Sequence, residues 1–293
     1  LSCRLAAALL LALATPAAAA PMFEPWRAGL ADEPAEEPVV QVQRVDADTF
    51  VIRQSIRTNF EAPFLYLLFG RDRALLIDSG AGGIAIRPQV EAIIAGWCAA
   101  NRRAGIPLVV AHSHGHADHH QGDAEFADRP DTTVVGIGPE AVASFFRIAD
   151  WSRGIGHFDL GGRRLDIVPT PGHQPEHIMV FDHRTRLLLS GDSLYPGRLY
   201  VPVDKFATYR ASIDRVVEAT RGRRVRAVLG AHIEMRSTPG EDYAAKANSH
   251  RDEHVLELPY ARLLELQAAL HLMTGEPVRE THRDFIIVPR WPN

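Results

Sequence analysis

Cysteine and lysine are both scarce in this chain. Among 293 residues there are two cysteines, Cys3 and Cys98. Cys3 lies in a stretch read below as a removable leader, so Cys98 would stand alone and no internal disulfide is open to the mature chain. That is neutral on compartment, because an exported enzyme can lack disulfides. Cys98 ends the apolar helical run Ile93-Ile94-Ala95-Gly96-Trp97-Cys98, where a thiol serves as a small buried hydrophobe. Lys205 and Lys246 are the only lysines, and every other base is arginine, which reads as genome composition bias. A basic excess is also missing. The formal net charge is −4 and the pI about 6.4, whereas a protein that grips phosphate backbones usually carries a basic surface. Nucleic acid is not an expected partner. The longest apolar run, Leu5 to Ala14, is shorter than the roughly 20 residues of a membrane-spanning helix. Glycine (22) and proline (20) are ordinary in number, which excludes collagen-like and low-complexity classes.

What is present begins with a leader pattern. Arg4 is the only charge before Glu24, the Leu/Ala run follows it, Thr15-Pro16 breaks the run, and Ala17 to Ala20 supply small residues. That is the layout of a secretory signal peptide over residues 1–20, with the mature end near Ala19–Met22 and a periplasmic or secreted destination. Residues 21–38, rich in Pro, Glu and Ala and without a period, read as a flexible lead-in.

From residue 39 on, strand-like and helix-like runs alternate in two batches, roughly 39–137 and 165–232. Each batch opens with strands at hairpin spacing. Helices are expected over Pro88–Ala100, Pro139–Ile148, Tyr209–Thr220 and Ala261–Leu272, from apolar stripes at helical spacing. The expected architecture is α/β (α+β), two mixed sheets packed face to face with helices outside. The expected domain covers 39–293, with 240–293 as a C-terminal helical extension in which the apolar run Phe285–Val288 reads as a final strand.

The chemistry concentrates in His112-Ser113-His114-Gly115-His116-Ala117-Asp118-His119-His120, which directly follows the apolar strand Leu108–Ala111. Imidazole is a common neutral metal ligand, and a carboxylate adds anionic character. His114 and His116 alternate and point the same way in extended backbone. Asp118 and His119 can face a second point, so the spacing offers ligands for two metals. His173, Asp192 and His232 each follow a strand end with a glycine close by. His112 and His120 flank the cluster and are expected to support the ligands or stand at the rim rather than to ligate. Asn59, Phe60 and Phe64 are candidates for a loop over the site. The histidines at 157, 183, 250, 254, 271 and 282 are expected on the surface.

The ordered set H-x-H-x-D-H, then Pro171-Gly172-His173, Gly191-Asp192-Ser193 and a strand ending in His232 resembles the metallo-β-lactamase superfamily. Leu76-Ile77-Asp78-Ser79-Gly80 resembles an earlier strand-end Asp motif of that family. The likeness spans residues 45–235. It implies an αββα sandwich. It also implies one metal on His114, His116 and His173, and a second on Asp118, His119 and His232. Asp192 would bridge them, and Asp78 would orient a ligand loop. Two Zn²⁺ fit a donor set without thiolate, and iron or manganese also fits. The implied activity is an exported binuclear hydrolase whose metal-bound hydroxide attacks an ester, lactone, thioester or related small-molecule bond. Asp118 would orient that nucleophile and take its proton. The alternatives are a β-lactam hydrolase and an iron-dependent thiol or persulfide oxidoreductase. True β-lactamases of the superfamily carry Cys or Ser where Asp192 stands, which tilts the reading toward the first class. Glu176 departs from the Gly of many members. Tyr195, Arg198 and Tyr200 follow Asp192 and are candidates for lining the substrate pocket.

Overall fold

A computed structural model describes residues 21–30 and 37–291; the leader at 1–20 lies outside the described residues. The first sheet takes its strands in chain order: β1 (Val40–Asp46), β2 (Thr49–Gln54), β3 (Phe64–Phe69), β4 (Ala74–Ile77), β5 (Leu108–Ala111) and β6 (Thr132–Val134). The first four pair antiparallel, and β4, β5 and β6 run parallel. A parallel neighbour requires a crossover, and helix α1 (Arg87–Ala100) supplies it between β4 and β5. Two shorter helices follow β5 and β6, α2 (Ala117–His120) and α3 (Pro139–Phe146).

The second sheet has the order β13-β12-β10-β9-β8-β7. Its strands are β7 (Gly156–Asp159), β8 (Arg164–Pro169), β9 (Ile178–Asp182), β10 (Leu187–Gly191), β12 (Ala227–Gly230) and β13 (Glu257–Leu258). Helix α4 (Phe206–Thr220) makes the crossover from β10 to its parallel neighbour β12. Helix α5 (Ala261–Leu272) packs beside α4.

Strand periodicity sorts the core into three layers. Residues one apart point to opposite faces of a sheet. On β4, Leu75 and Ile77 enter the layer between the sheets with Val51, Tyr66, Val109, Ile167, Val180 and Leu229. Ala74 and Leu76 face outward, onto Val90, Ile94 and Trp97 of α1. On the other sheet, Met179, Phe181 and Val228 meet Tyr209, Ile213 and Val216 of α4 and Leu263 and Leu266 of α5. Each fully buried side chain of this kind contributes about 1.5–3 kcal/mol. The strands are apolar on both faces because both are covered. The chain is therefore an αββα sandwich, as expected.

Two stretches differ from the sequence reading. The lead-in is not loose over residues 21–30. Phe23 and Trp26 are buried in the inter-sheet core, and Trp26 meets Phe64 edge-on with ring centroids 5.1 Å apart. Gln41 on β1 clamps this segment, its Oε1 accepting from Arg27 N and its Nε2 donating to Arg27 O. Two aromatics outweigh a polar, aperiodic composition, and no periodicity search registers them. Nor is 240–293 a purely helical extension. Besides α5 it supplies β13 to the second sheet, and β14 (Glu280–Thr281) and β15 (Ile286–Arg290) to a third. There β15 lies parallel to β11 (Arg198–Pro202). Among the described residues no helix is long and apolar enough to cross a membrane.

If the segment at 21–30 belongs to the core, Trp26→Ala costs about 3 kcal/mol of stability, in the range of large-to-small core truncations. Urea unfolding monitored by circular dichroism measures it. A loss below about 0.5 kcal/mol would mean the segment is not part of the cooperative unit.

Candidate metal centre

Five loops bring the candidate ligands to one end of the sandwich. They follow β4 (Asp78), β5 (His114 to His119), β8 (His173), β10 (Asp192) and β12 (His232). Local backbone chemistry aims them. Asp78 adopts φ +67°, a left-handed conformation that Asp tolerates better than most residues. Its carboxylate accepts from Ser113 N at 2.7 Å, Ser113 Oγ at 2.9 Å and His119 Nδ1 at 2.9 Å. Gly191 sits at φ +51°, and a Cβ there would lie 2.8 Å from both His177 Nε2 and Ser113 Cβ. Only glycine lets Asp192 come this close to the histidine loop.

Two groups of ligand atoms converge. In the first, His116 Nδ1 lies 2.9 Å from His114 Nε2 and 3.0 Å from His173 Nε2. Asp192 Oδ2 is 3.7 Å from His114 Nε2 and 3.6 Å from His173 Nε2. In the second, His119 Nε2, His232 Nε2 and Asp118 Oδ2 stand 3.2–3.4 Å apart. Asp192 Oδ1 is 3.6 Å from His119 Nε2 and 3.3 Å from His232 Nε2. Ligands about 2.0–2.2 Å from one tetrahedral ion stand roughly 3.3–3.6 Å from each other. The second group and the Asp192 contacts match that spacing, while His116 Nδ1 stands closer to its two neighbours, at 2.9 and 3.0 Å. One oxygen of Asp192 faces each group, and Oδ1 is buried with no hydrogen-bond donor among the described residues.

The far nitrogens are committed. His173 Nδ1 donates to Tyr200 O and His232 Nδ1 to Glu61 O, each at 2.7 Å. His119 Nδ1 donates to Asp78, and His114 Nδ1 meets Ser113 Oγ at 3.1 Å. These bonds select the tautomer that leaves each Nε2 lone pair facing its group. His116 is turned the other way, with Nδ1 inward and Nε2 on the Gln174 amide.

Charge follows position. Burial pushes His114, His116 and His173 below the ordinary imidazole range, so they are neutral donors. Burial alone would lower His119 too, but Asp78, Asp192 and Asp118 lift it well above. The same opposition, with Asp192 and Asp118, lifts His232. Burial opposes ionisation of Asp118 and Asp192, yet the surrounding histidines hold both carboxyls well below the usual range. The pocket thus demands positive charge between these carboxylates, and protons or cations can supply it. The donor set fits divalent cations.

The remaining sequence candidates separate. Tyr195 forms a wall of the cleft, with its hydroxyl spent on Arg198 O and Glu234. Arg198 does not reach the cleft, because Glu234 Oε1 at 2.8 Å and Tyr243 O hold its guanidinium. Tyr200 lines the cleft. Phe64 is core, and Phe60 borders a neighbouring cavity. His112 pairs with Asp123 and lies outside both groups. His177 is structural: Thr170 Oγ1 holds its Nδ1, and its Nε2 accepts from Asp192 N. His250 is not on the surface but buried, stacked on Tyr243 at 3.9 Å. The cleft encloses about 420 Å³, and Glu61, Gln174, Glu234 and Arg290 also line it. Gln174 was legible as the neighbour of His173. The other three had no motif.

Asp78→Ala leaves two buried donors of Ser113 and the His119 ring unheld. It is expected to weaken divalent-metal affinity about 10–100-fold and to destabilise the fold by about 1–3 kcal/mol. Isothermal titration with zinc and thermal melts measure both; unchanged affinity would deny Asp78 its orienting part.

The comparisons with known proteins agree with this geometry. A family model described as Metallo-beta-lactamase superfamily matches residues 59–232. A hydroxyacylglutathione hydrolase of Rhizobium meliloti is 34% identical over 94 residues, covering 30% of this chain and 35% of that protein. An acyl-coenzyme A thioesterase of Bos taurus is 25% identical over 201 residues, covering 58% of this chain and 72% of that one. Among solved structures, the metallo-beta-lactamase FIM-1 from Pseudomonas aeruginosa superposes with TM-score 0.53 at 15% identity, covering 82% of this chain and 98% of that one. The match spans most strands of the two large sheets and both ligand groups, and the chain belongs to the metallo-beta-lactamase superfamily, as a metal-dependent hydrolase.

Proposed function

We propose that the chain is a binuclear, zinc-dependent hydrolase of thioesters, acting outside the cytoplasm once residues 1–20 are removed. The observation that carries the binuclear reading is Asp192, whose two oxygens face two ligand groups at tetrahedral-edge distances. His114, His116 and His173 would hold one ion, Asp118, His119 and His232 the other, and Asp192 both. The thioester reading rests on the names of the hydroxyacylglutathione hydrolase and acyl-coenzyme A thioesterase relatives. The leader pattern in the sequence supports the location.

When bound, two divalent ions supply Lewis acidity and lower the pKa of water toward neutrality. The chain's own residues do the rest. Asp118, anionic and on the cleft wall, orients the attacking water by accepting its hydrogen bond. Tyr195 and Pro202 wall the cleft and keep bulk water from one side. Asp78 and the Tyr200 and Glu61 carbonyls hold the rings still, so little reorganisation is left for the reaction step.

Asp192→Ala removes the anion shared by both groups and is expected to lose one metal equivalent and at least about tenfold in activity. His232→Ala is expected to weaken one equivalent selectively with the fold intact. Metal analysis and thermal melts of both variants decide this; two retained equivalents with full turnover would remove the bridging role. A panel of thioester, lactone, β-lactam and phosphodiester substrates tests the class, with thioester turnover expected to dominate. One iron per chain with thiol oxidation would instead establish the oxidoreductase alternative.

The carboxylates also set a pH dependence. His119 and His232 are lifted above the ordinary range, so they stay protonated to higher pH, and an incoming cation must displace those protons. Zinc affinity is therefore expected to weaken as pH falls, with net proton release on binding. Calorimetry in buffers of different ionisation heat measures the release; pH-independent affinity would contradict it.

A further inference from the structure

The cleft has a side chamber that the hydrolytic chemistry does not use. A second cavity of about 260 Å³ adjoins it and shares four wall residues: Glu61, Tyr200, Glu234 and Arg290. Arg290 reaches this wall because β15 pairs with β11 in the register Tyr200↔Val288 and Pro202↔Arg290. The segment that carries it lies beyond the residues 59–232 that define the family.

The bases around this chamber differ in what they already hold. Arg198 is spent on Glu234 at 2.8 Å and Asp242 at 3.5 Å. Arg290 has no carboxylate partner among the described residues. Its guanidinium carbon lies 4.6 Å from the centre of the Tyr200 ring, which fixes its plane without neutralising it. Lys246, also without a carboxylate partner there, rests its Nζ 5.6 Å from the Phe60 ring centre on the same chamber. Glu61 is the chamber's one carboxylate without a base, so two uncommitted cations face one uncommitted anion. A guanidinium held by its face alone keeps its N–H edges free for bidentate contact with a carboxylate or phosphate.

We infer that this chamber takes an anionic end of the substrate, and that Arg290 is its specificity-determining residue. The inference rests on the thioester reading for the bond that is cut. A substrate would lay its thioester over the ligand groups and its carboxylate or phosphate against Arg290, with Lys246 adding a second positive charge. Tyr200, under the guanidinium and beside the metal cleft, joins the two spaces.

The test compares three acetyl thioesters on wild-type protein and on Arg290→Ala, Arg290→Lys and Lys246→Ala. The thiols are N-acetylcysteamine (neutral), mercaptopropionate (carboxylate) and phosphopantetheine (phosphate). Arg290→Ala is expected to lower the anionic-over-neutral ratio of kcat/KM by about tenfold, through KM rather than kcat. Arg290→Lys restores part of it, and Lys246→Ala lowers it less. The preferred anion tells carboxylate from phosphate. The matching ethyl thioethers, which cannot be cut, are titrated in parallel. If wild type cleaves no thioester, the thioester reading fails, while the thioether titrations still decide the chamber. A ratio, or a thioether preference, within about twofold of wild type in Arg290→Ala would overturn the inference.

Discussion

The structure turns on one carboxylate. Asp192 is buried in the cleft wall, where little water reaches its charge, and a buried anion is costly unless positive charge surrounds it. His114, His119, His173 and His232 surround it at 3.3–3.7 Å. Neutral imidazoles alone cannot balance Asp192, Asp118 and Asp78. Two cations can, and they would use the lone pairs that the outer hydrogen bonds leave facing inward. Gly191, Asp78 with its left-handed backbone, and His177 behind the Asp192 amide can all be understood as the means of holding that carboxylate in place.

The sandwich supplies the rigidity this requires. Every candidate ligand follows a strand whose own residues are buried, so each loop starts from a fixed point. The helices make the parallel crossovers that put the ends of β4, β5, β10 and β12 on one side. The third sheet then adds a wall. Through β15 the C-terminal stretch contributes Arg290 to the cleft wall, from an element separate from the five ligand loops.

Much of this was legible in the sequence, and the rest was not, for physical reasons. The ligand candidates stand at strand ends with glycines beside them, and such spacing survives without coordinates. Periodicity located the long helices because their apolar stripes are regular. Trp26 and Phe23 escaped because two aromatics can anchor a segment that has neither period nor helical propensity. The run Phe285–Val288 reads as a strand, but the third sheet did not show in the sequence, because β14 is two residues long and β15 pairs with β11 more than eighty residues away. Arg198 illustrates the opposite case: adjacency to Asp192 suggested the metal cleft, but Glu234, with no motif to mark it, takes its guanidinium and leaves it on the wall of the side chamber. Side-chain commitment is a tertiary property, and sequence order does not record it.

Anomalous diffraction at the zinc edge, from crystals of the protein purified without chelator, tests the central claim most directly. Two peaks are expected. One should fall among His114, His116 and His173 and the other among Asp118, His119 and His232, with an Asp192 oxygen at each. A single peak, or two peaks that leave Asp192 without contact to both, would contradict the account.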